Sequence, residues 1–298
     1  MISTDTLQQK IQQIEKPTRI ALSRRFPKVL PLIYFSRCFL VSLKNTLNLQ
    51  ISKKFGINFY PYIIARHQSL LYRHLGDSDP ILQKNKVTNL KIASQKLNGL
   101  TISPGKTFSF WQSVGKPTER KGYIEGMLLS NGEVKTGIGG GLCQMSNLLF
   151  WLFLHTPIQV TERYHHSKDV FPDSSRTLPF GSGATILYNF VDLKIKNISS
   201  QPLQLKIWLT DKHLKGQILS PKPTETKFHL FEKNHIFVKK YKQFYRYNEI
   251  FRQEKLKGEV IKTEKVTTNF APVYYKITKK YIKDHRFALI DLSRRDIS

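Results

Sequence analysis

Cysteine is almost missing from this chain, and acidic residues are scarce. Only Cys38 and Cys143 occur among 298 residues. A disulfide framework is therefore excluded, although one bridge stays chemically open. Asp and Glu total 21 against 48 Lys and Arg, which leaves a net charge of +27. Such an imbalance favours an anionic partner: a phospholipid surface, a wall polymer or nucleic acid. Long apolar runs are missing as well. The best stretch, Val29 to Leu43, is broken by Pro31, Ser36, Arg37 and Ser42, so it is too short and too polar to span a bilayer. No charged-then-apolar export signal opens the chain, which makes the cytoplasm the default expectation. A basic segment of this kind can still lie on the inner membrane surface. Internal repeats and low-complexity linkers are absent. The 40% of apolar residues is enough to supply a core.

What the chain does have is an unusual glycine cluster. Gly137 to Leu154 reads Gly-Ile-Gly-Gly-Gly-Leu-Cys-Gln-Met-Ser-Asn-Leu-Leu-Phe-Trp-Leu-Phe-Leu. Glycine permits positive φ and close backbone approach. The run that follows is apolar on nearly every side, as in a buried helix, and Pro157 stops it. Cys143 then falls on the first turn, at the mouth of a flexible loop. Free amides and the helix dipole there stabilise a thiolate and can hold an oxyanion. Ser146 and Asn147 share the helical face of Cys143. Two readings stay open from the residues alone: an inert core thiol or a reactive nucleophile.

Around this stretch the chain divides into a basic, mainly helical N-terminal region (1–80), a core domain (81–220) and a basic, β-rich C-terminal region (221–298). Met1 to Lys16 reads as a frayed or loosely helical start. Residues 17 to 80 read as helical, with Arg19, Arg24, Arg25, Lys28 and Arg37 among Leu30, Leu32, Ile33, Phe35 and Phe39. We take this as an amphipathic helix packed on the core in preference to a membrane-surface helix. Leu90, Ala93 and Leu97 fall at helical spacing and Gly99 ends that helix. Lys106 to Trp111 alternates like a strand, with Phe108 and Phe110 on one face. Asp192 to Lys196 and Leu203 to Leu209 read as a hairpin, with Gln204 and Lys206 facing out. From Pro221 onward lysine, tyrosine and phenylalanine interleave along strands.

Ile158 to Ser167 starts as a strand returning from the buried helix. A helix of about 12 residues climbs about 18 Å, and a strand of about 8 residues descends about 26 Å. An immediate return therefore brings His165 or His166 back to the level of Cys143. Residues 172 to 185 form a long polar loop whose charged members are Asp173 and Arg176. Read singly, either belongs to a solvated loop with an internal salt bridge. Zinc binding by Cys143, His165 and His166 lacks a Cys-x-x-Cys pair and a fourth ligand. The glycine loop lacks the Gly-Lys-Ser/Thr ending of a P-loop. Nucleic acid is not favoured either, since no recognisable module is present. The expected fold class is α+β: a buried central helix packed on an antiparallel sheet, with the two basic regions flanking it.

Three segments together, Asn85 to Gly99, Pro104 to Trp111 and Gly139-Gly-Gly-Leu-Cys-Gln-Met-Ser-Asn147, resemble the VanW family. The resemblance runs from about Arg24 onward and is close over 85–196. It is nearer the family's short, signal-less form than its long, membrane-anchored members. It implies a setting of glycopeptide resistance and L,D-transpeptidase-like acyl transfer on peptidoglycan through a thioester at Cys143. His166, after Glu162-Arg163, matches the family histidine; His165 does not. Gly139, Gly140, Gly141, Leu142 and Gln144 would hold the oxyanion, with Ser146, Asn147 and Arg176 completing the substrate-binding set. Many members read Asp-Ala-Thr where this chain has Gly183-Ala184-Thr185. If that aspartate orients the histidine, Asp173 is the candidate replacement here. The implied partner is a stem peptide or a lipid-linked wall precursor, with the anionic membrane surface as a further candidate. No cofactor or metal is implied. The rival expectation is a non-catalytic accessory protein that binds such a precursor or surface.

Overall fold

The computed structural model describes residues 2–15, 30–47, 54–55, 58–72, 80–130, 133–165, 168–170, 172, 177–285 and 287–293. The first half of the chain contributes α1 (Thr4–Ile14), α2 (Leu30–Leu47), β1 (Lys54–Phe55), β2 (Tyr62–Leu70), α3 (Pro80–Leu97), β3 (Leu100–Ile102), β4 (Thr107–Ser109), α4 (Phe110–Val114), β5 (Glu125–Ser130) and β6 (Glu133–Ile138). The second half contributes α5 (Cys143–Leu154), β7 (Ile158–Glu162), β8 (Lys194–Asn197), β9 (Leu203–Leu209), β10 (His213–Ser220), β11 (Thr226–Lys240), β12 (Gln243–Leu256), β13 (Glu259–Pro272), α6 (Lys279–Asp284) and β14 (Ala288–Asp291). The largest sheet runs in the order β1, β3, β9, β10, β2. A second holds β4, β8 and β7, a third β5 and β6, and the fourth β13, β12, β11 and β14. All pairs are antiparallel except β11 with β14. The fold is thus α+β, with its C-terminal part built from strands.

Helix α5 lies at the centre. It packs against β2 and β10. The approach is close because position 216 of β10 is glycine: a Cβ there would sit 2.7 Å from Leu152 Cδ1 and 3.1 Å from Leu148 Cδ2. Leu148, Leu149, Phe150, Leu152, Phe153 and Leu154 are all buried. Each such side chain contributes about 1.5–3 kcal/mol by leaving water. The helix stops at His155-Thr156-Pro157, where the Thr156 hydroxyl and amide both bond Phe153 O. Helix α3 buries Leu90, Ala93 and Leu97 and ends at Gly99, whose φ of +86° suits a C-terminal cap.

Several local expectations change in three dimensions. Asp192 to Leu209 is not one hairpin. β8 pairs with β4 and β7, while β9 pairs with β3 and β10. Alternation marks a strand but does not name its neighbour. Gln204 faces inward, because its carboxamide accepts from Tyr60 N at 2.9 Å and donates to Asn58 O at 3.1 Å. Phe110 and Trp111 open a helix instead of ending a strand. Ser109 caps it by accepting from Gln112 N at 3.2 Å. Residues 62 to 70, read as helical, form strand β2 of the main sheet. The segment Met1 to Lys16 contains an ordered helix. Leu7 and Ile11 of α1 pack with Ile236, Val238, Tyr247 and Leu292 of the C-terminal sheet.

One buried carboxylate holds α4 in place. Asp192 accepts from Ser109 Oγ at 2.5 Å, Trp111 N at 3.2 Å and Leu193 N at 2.8 Å. Burial pushes its pKa up to about 6 from the ordinary 3.8, although these donors pull the other way. The native state therefore takes up this proton before the unfolded chain does. Its stabilising effect is complete below about pH 4 and is lost as pH rises through about 6. We expect the stability gap between wild type and Asp192→Asn to change by about 2–3 kcal/mol across that window. Urea unfolding of both proteins at several pH values measures it, and a gap independent of pH would contradict this assignment.

Candidate functional site

The glycine loop before α5 is packed, not flexible. A Cβ on Gly139 would lie 2.6 Å from Pro117 Cβ, one on Gly140 2.0 Å from Gly126 C, and one on Gly141 2.1 Å from Lys86 Cγ. Three neighbours therefore reach the loop's main chain, and no side chain larger than hydrogen fits between them. Asn89 of α3 fixes the arrangement. Its carboxamide donates to Gly140 O at 2.9 Å and Ile124 O at 3.0 Å, and accepts from Ile124 N at 3.0 Å. The Gly139 amide donates to Ile124 O and the Gly140 amide to Gly137 O. Those two amides are thus spent within the loop. Gly141, with φ +90°, turns the chain into the helix.

Cys143 is the first residue of α5, and Leu142 before it provides no side-chain cap. The residue is half-buried. At its thiol burial dominates and raises the pKa, while backbone hydrogen bonds at Ile186 and at Cys143 itself act in the lowering direction. Of the two readings open from the sequence, burial here works against the thiolate, since desolvation outweighs the amides at the helix start. Ser146 is buried and donates to Ala184 O at 2.6 Å and Cys143 O at 3.0 Å. Asn147 accepts from Ala184 N at 2.7 Å. The polar face of α5 thus grips the backbone at Ala184, two residues before the Ile186 backbone that meets the sulfur. Gln144 points elsewhere: its nitrogen donates to Ser69 Oγ at 2.8 Å and Leu70 O at 2.7 Å, tying the helix start to β2.

The strand after α5 does return to this place. Thr185 N donates to Tyr164 O at 2.8 Å, one residue from Ile186. Arg163 then locks the crossing. Its guanidinium donates to Gly183 O at 2.9 and 2.7 Å, to Gly181 O and to Thr267 Oγ1 at 3.1 Å, and it covers the Phe150 ring at 4.9 Å. Burial draws its pKa down to about 10. Carbonyl acceptors take the place of a carboxylate in these contacts. His165 is exposed. His166, Asp173 and Arg176 lie outside the described residues. The nearby loop is less solvated than its composition implied: Phe180, Ser182 and Ala184 are buried. Among the described residues, no group of three or more His, Cys, Asp or Glu side chains converges as a metal site would need. Sequence reading missed Asn89, Arg163, Ala184 and Ile186 as parts of the site. Asn89, Arg163 and Ala184 did stand inside the quoted segments; Ala184 and Ile186 act through backbone, which leaves no signature in the side chain.

The family described as VanW like protein matches residues 85–219. The chain is also 34% identical over 261 residues to the vancomycin B-type resistance protein VanW of Enterococcus faecalis, a match covering 86% of this chain and 94% of that protein. This chain belongs to the VanW family. A second relative, the uncharacterised protein YoaR of Bacillus subtilis, is 31% identical over 123 residues, covering 41% of this chain and 39% of that one. No solved structure matches the chain. The VanW-matched span includes Asn89, the glycine loop, α5, Arg163 and Ile186, while Ser69 and Leu70, which hold Gln144, and Thr267, which meets Arg163, lie outside it. At Gly183, where the resemblance implied an aspartate, a Cβ would lie 2.5 Å from Asn147 Oδ1. In this VanW chain Asn147 occupies that room, and an aspartate would require Asn147 to move.

Proposed function

We propose that this chain is a cysteine acyl transferase acting on peptidoglycan stem peptides, in the setting of glycopeptide resistance. The observation that carries the reading is the placing of Cys143. Its thiol sits on the first residue of α5, directly after the packed glycine loop, where the Ile186 backbone and its own act to lower a pKa that burial raises; the resemblance in the glycine–Cys–Gln segment supports the same residue. The name of the Enterococcus relative supports the resistance setting.

In this mechanism the resting thiol stays protonated and needs a base. His166 takes the S–H proton as sulfur attacks a carbonyl carbon of the donor peptide. The C–S bond forms, and the amides at Leu142 and Cys143 hold the tetrahedral oxyanion. The C–N bond then breaks, and His166 returns the proton to the leaving amine. A second amine attacks the thioester carbonyl, loses its proton to His166 and releases the cysteine. Gly139 and Gly140 shape the turn, while Gln144 anchors the helix start. Asp173 and Arg176 keep their proposed roles as orienting and substrate-binding groups.

A second reading has its own observations. The raised thiol pKa and the tether on Gln144 suit a binding protein that holds a wall precursor without reacting. Alkylation by iodoacetamide against pH separates the two, with Cys143→Ala to subtract Cys38. For the enzyme we expect stem-peptide fragments to yield a thioester adduct, detected by mass, that Cys143→Ala abolishes. His166→Ala should shift the alkylation midpoint upward and slow adduct formation at least about a hundredfold. A thiol indifferent to His166 and never acylated would leave the binding protein as the function.

A further inference from the structure

Helix α2 turns its apolar side away from the protein. Leu32 and Phe35 are each 69% exposed, Phe39 60%, Leu40 63% and Leu43 46%. At 100° per residue these positions, with Ile33, span an arc of about 160°. The opposite side faces the body. The Cys38 thiol donates to Tyr188 O at 3.6 Å, and Asn189 Nδ2 donates to Cys38 O at 3.3 Å. The packed amphipathic helix expected from sequence is therefore inverted. An arc of large apolar side chains this wide is far more than scattered surface leucines.

Charge says what would cover it. No Asp or Glu occurs between Glu15 and Asp77, whereas Arg19, Arg24, Arg25, Lys28, Arg37 and Lys44 fall in or just before the helix. No helix among the described residues is long and apolar enough to cross a membrane. An apolar face in a purely basic stretch that does not span is the pattern of a helix lying in an interface, its apolar side in the acyl boundary and its charge on anionic headgroups. We propose that α2 docks this protein on an anionic lipid bilayer. The contact also has a place in the fold. Tyr188 and Asn189, which hold α2, follow Ile186, whose backbone meets the Cys143 sulfur, by two and three residues. Docking would thus bring the thiol's neighbourhood to the surface where lipid-linked substrates reside. The docking itself does not depend on acyl transfer.

Flotation of the full chain with vesicles tests it, using vesicles of about one-third phosphatidylglycerol in phosphatidylcholine and vesicles of phosphatidylcholine alone. We expect the protein to float with the anionic vesicles and far less with the neutral ones. Phe35→Ser/Phe39→Ser should weaken that partitioning at least about tenfold with an unchanged far-UV circular dichroism spectrum, while Cys143→Ala should float as wild type does. Wild type that fails to float, or a double variant that floats equally well, would overturn the proposal. So would a lipid-free dimer, seen by light scattering, that the double variant abolishes while vesicles bind neither protein. That result would assign the face to a second copy of the chain.

Discussion

Replacing Gly140 with alanine is expected to destabilise the protein by about 3 kcal/mol or more. The new methyl carbon would meet Gly126 C at 2.0 Å and Gly126 O at 2.1 Å. Both are backbone atoms of β5, so no side chain can swing aside. Either the ribbon of β5 and β6 shifts or the loop does. A shifted loop would strain the three hydrogen bonds that Asn89 makes to Gly140 and Ile124. Gly105→Ala provides the control. Gly105 has a positive φ, +72°, which Gly140 does not, and nothing lies within 4 Å of its added Cβ. That variant should lose only the left-handed backbone penalty, about 1–2 kcal/mol. Urea midpoints for the two variants make the comparison, and equal losses would show that the loop is not closely packed. If Gly140→Ala does not accumulate, Asn89→Ala asks the same question. It leaves Gly140 O and Ile124 N without that partner, while Ile124 O keeps the Gly139 amide, and should cost about 2–3 kcal/mol.

The second large effect is expected in the C-terminal sheet. Arg246, fully buried, donates through an NH1 proton to Asp169 Oδ2 at 3.2 Å and through Nε to His235 Nε2 at 2.7 Å. The other ring nitrogen of His235 lies 3.2 Å from Glu232 Oε2. Tyr275 adds its hydroxyl to Asp169 at 2.9 Å; burial and then the Asp169 charge push that hydroxyl's pKa up, so it remains a donor. Phe180, Phe237 and Phe287 surround the guanidinium. Removing one member leaves a charge in an apolar cage. Arg246→Met should therefore destabilise by about 3–5 kcal/mol, and Asp169→Ala by a similar amount. The double variant should lose clearly less than the sum, because each single change already breaks the same pair. Additive losses in urea unfolding would mean that the pair is not coupled.

That network also bears on the candidate site. Asp169 is tied to Arg246 and Tyr275. On the far side of 173–176, Phe180 O accepts from Asn248 at 2.8 Å and from Asn269 at 3.1 Å. The C-terminal strands thus hold the chain on both sides of Asp173 and Arg176. This explains why a stretch that composition marked as a polar loop carries buried residues.

The sequence was legible where chemistry is local. The span of α5 followed from glycine before it and proline after it, and the end of α3 followed from Gly99. The rises per residue pointed to a strand of about eight residues after α5; β7 holds 5, and beyond it an isolated bridge pairs Tyr164 with Thr185. Partner choice was not legible. The alternation in β8 and β9 is real, yet the two strands enter different sheets, because period alone does not select a neighbour. Nor did polarity reveal that Gln204 turns inward; it is buried because it serves the backbone of Asn58 and Tyr60. At the thiol, position was readable and environment was not. A helix start and a desolvated sulfur pull the pKa in opposite directions, and only packing decides between them. Arg163 illustrates the same limit, since its acceptors are the Gly181 and Gly183 carbonyls and the distant Thr267 hydroxyl.

The seat of α1 has a consequence for how the protein is made. Leu7 and Ile11 leave the ribosome long before Ile236, Val238, Tyr247 and Leu292, the residues that bury them. A helix of 11 residues is marginal by itself in water. During synthesis this segment therefore waits, its apolar face bare, until those partners more than two hundred residues further on emerge to receive it. Helix α1 is then set only after those partners are made, and its docking would report that the C-terminal sheet has formed.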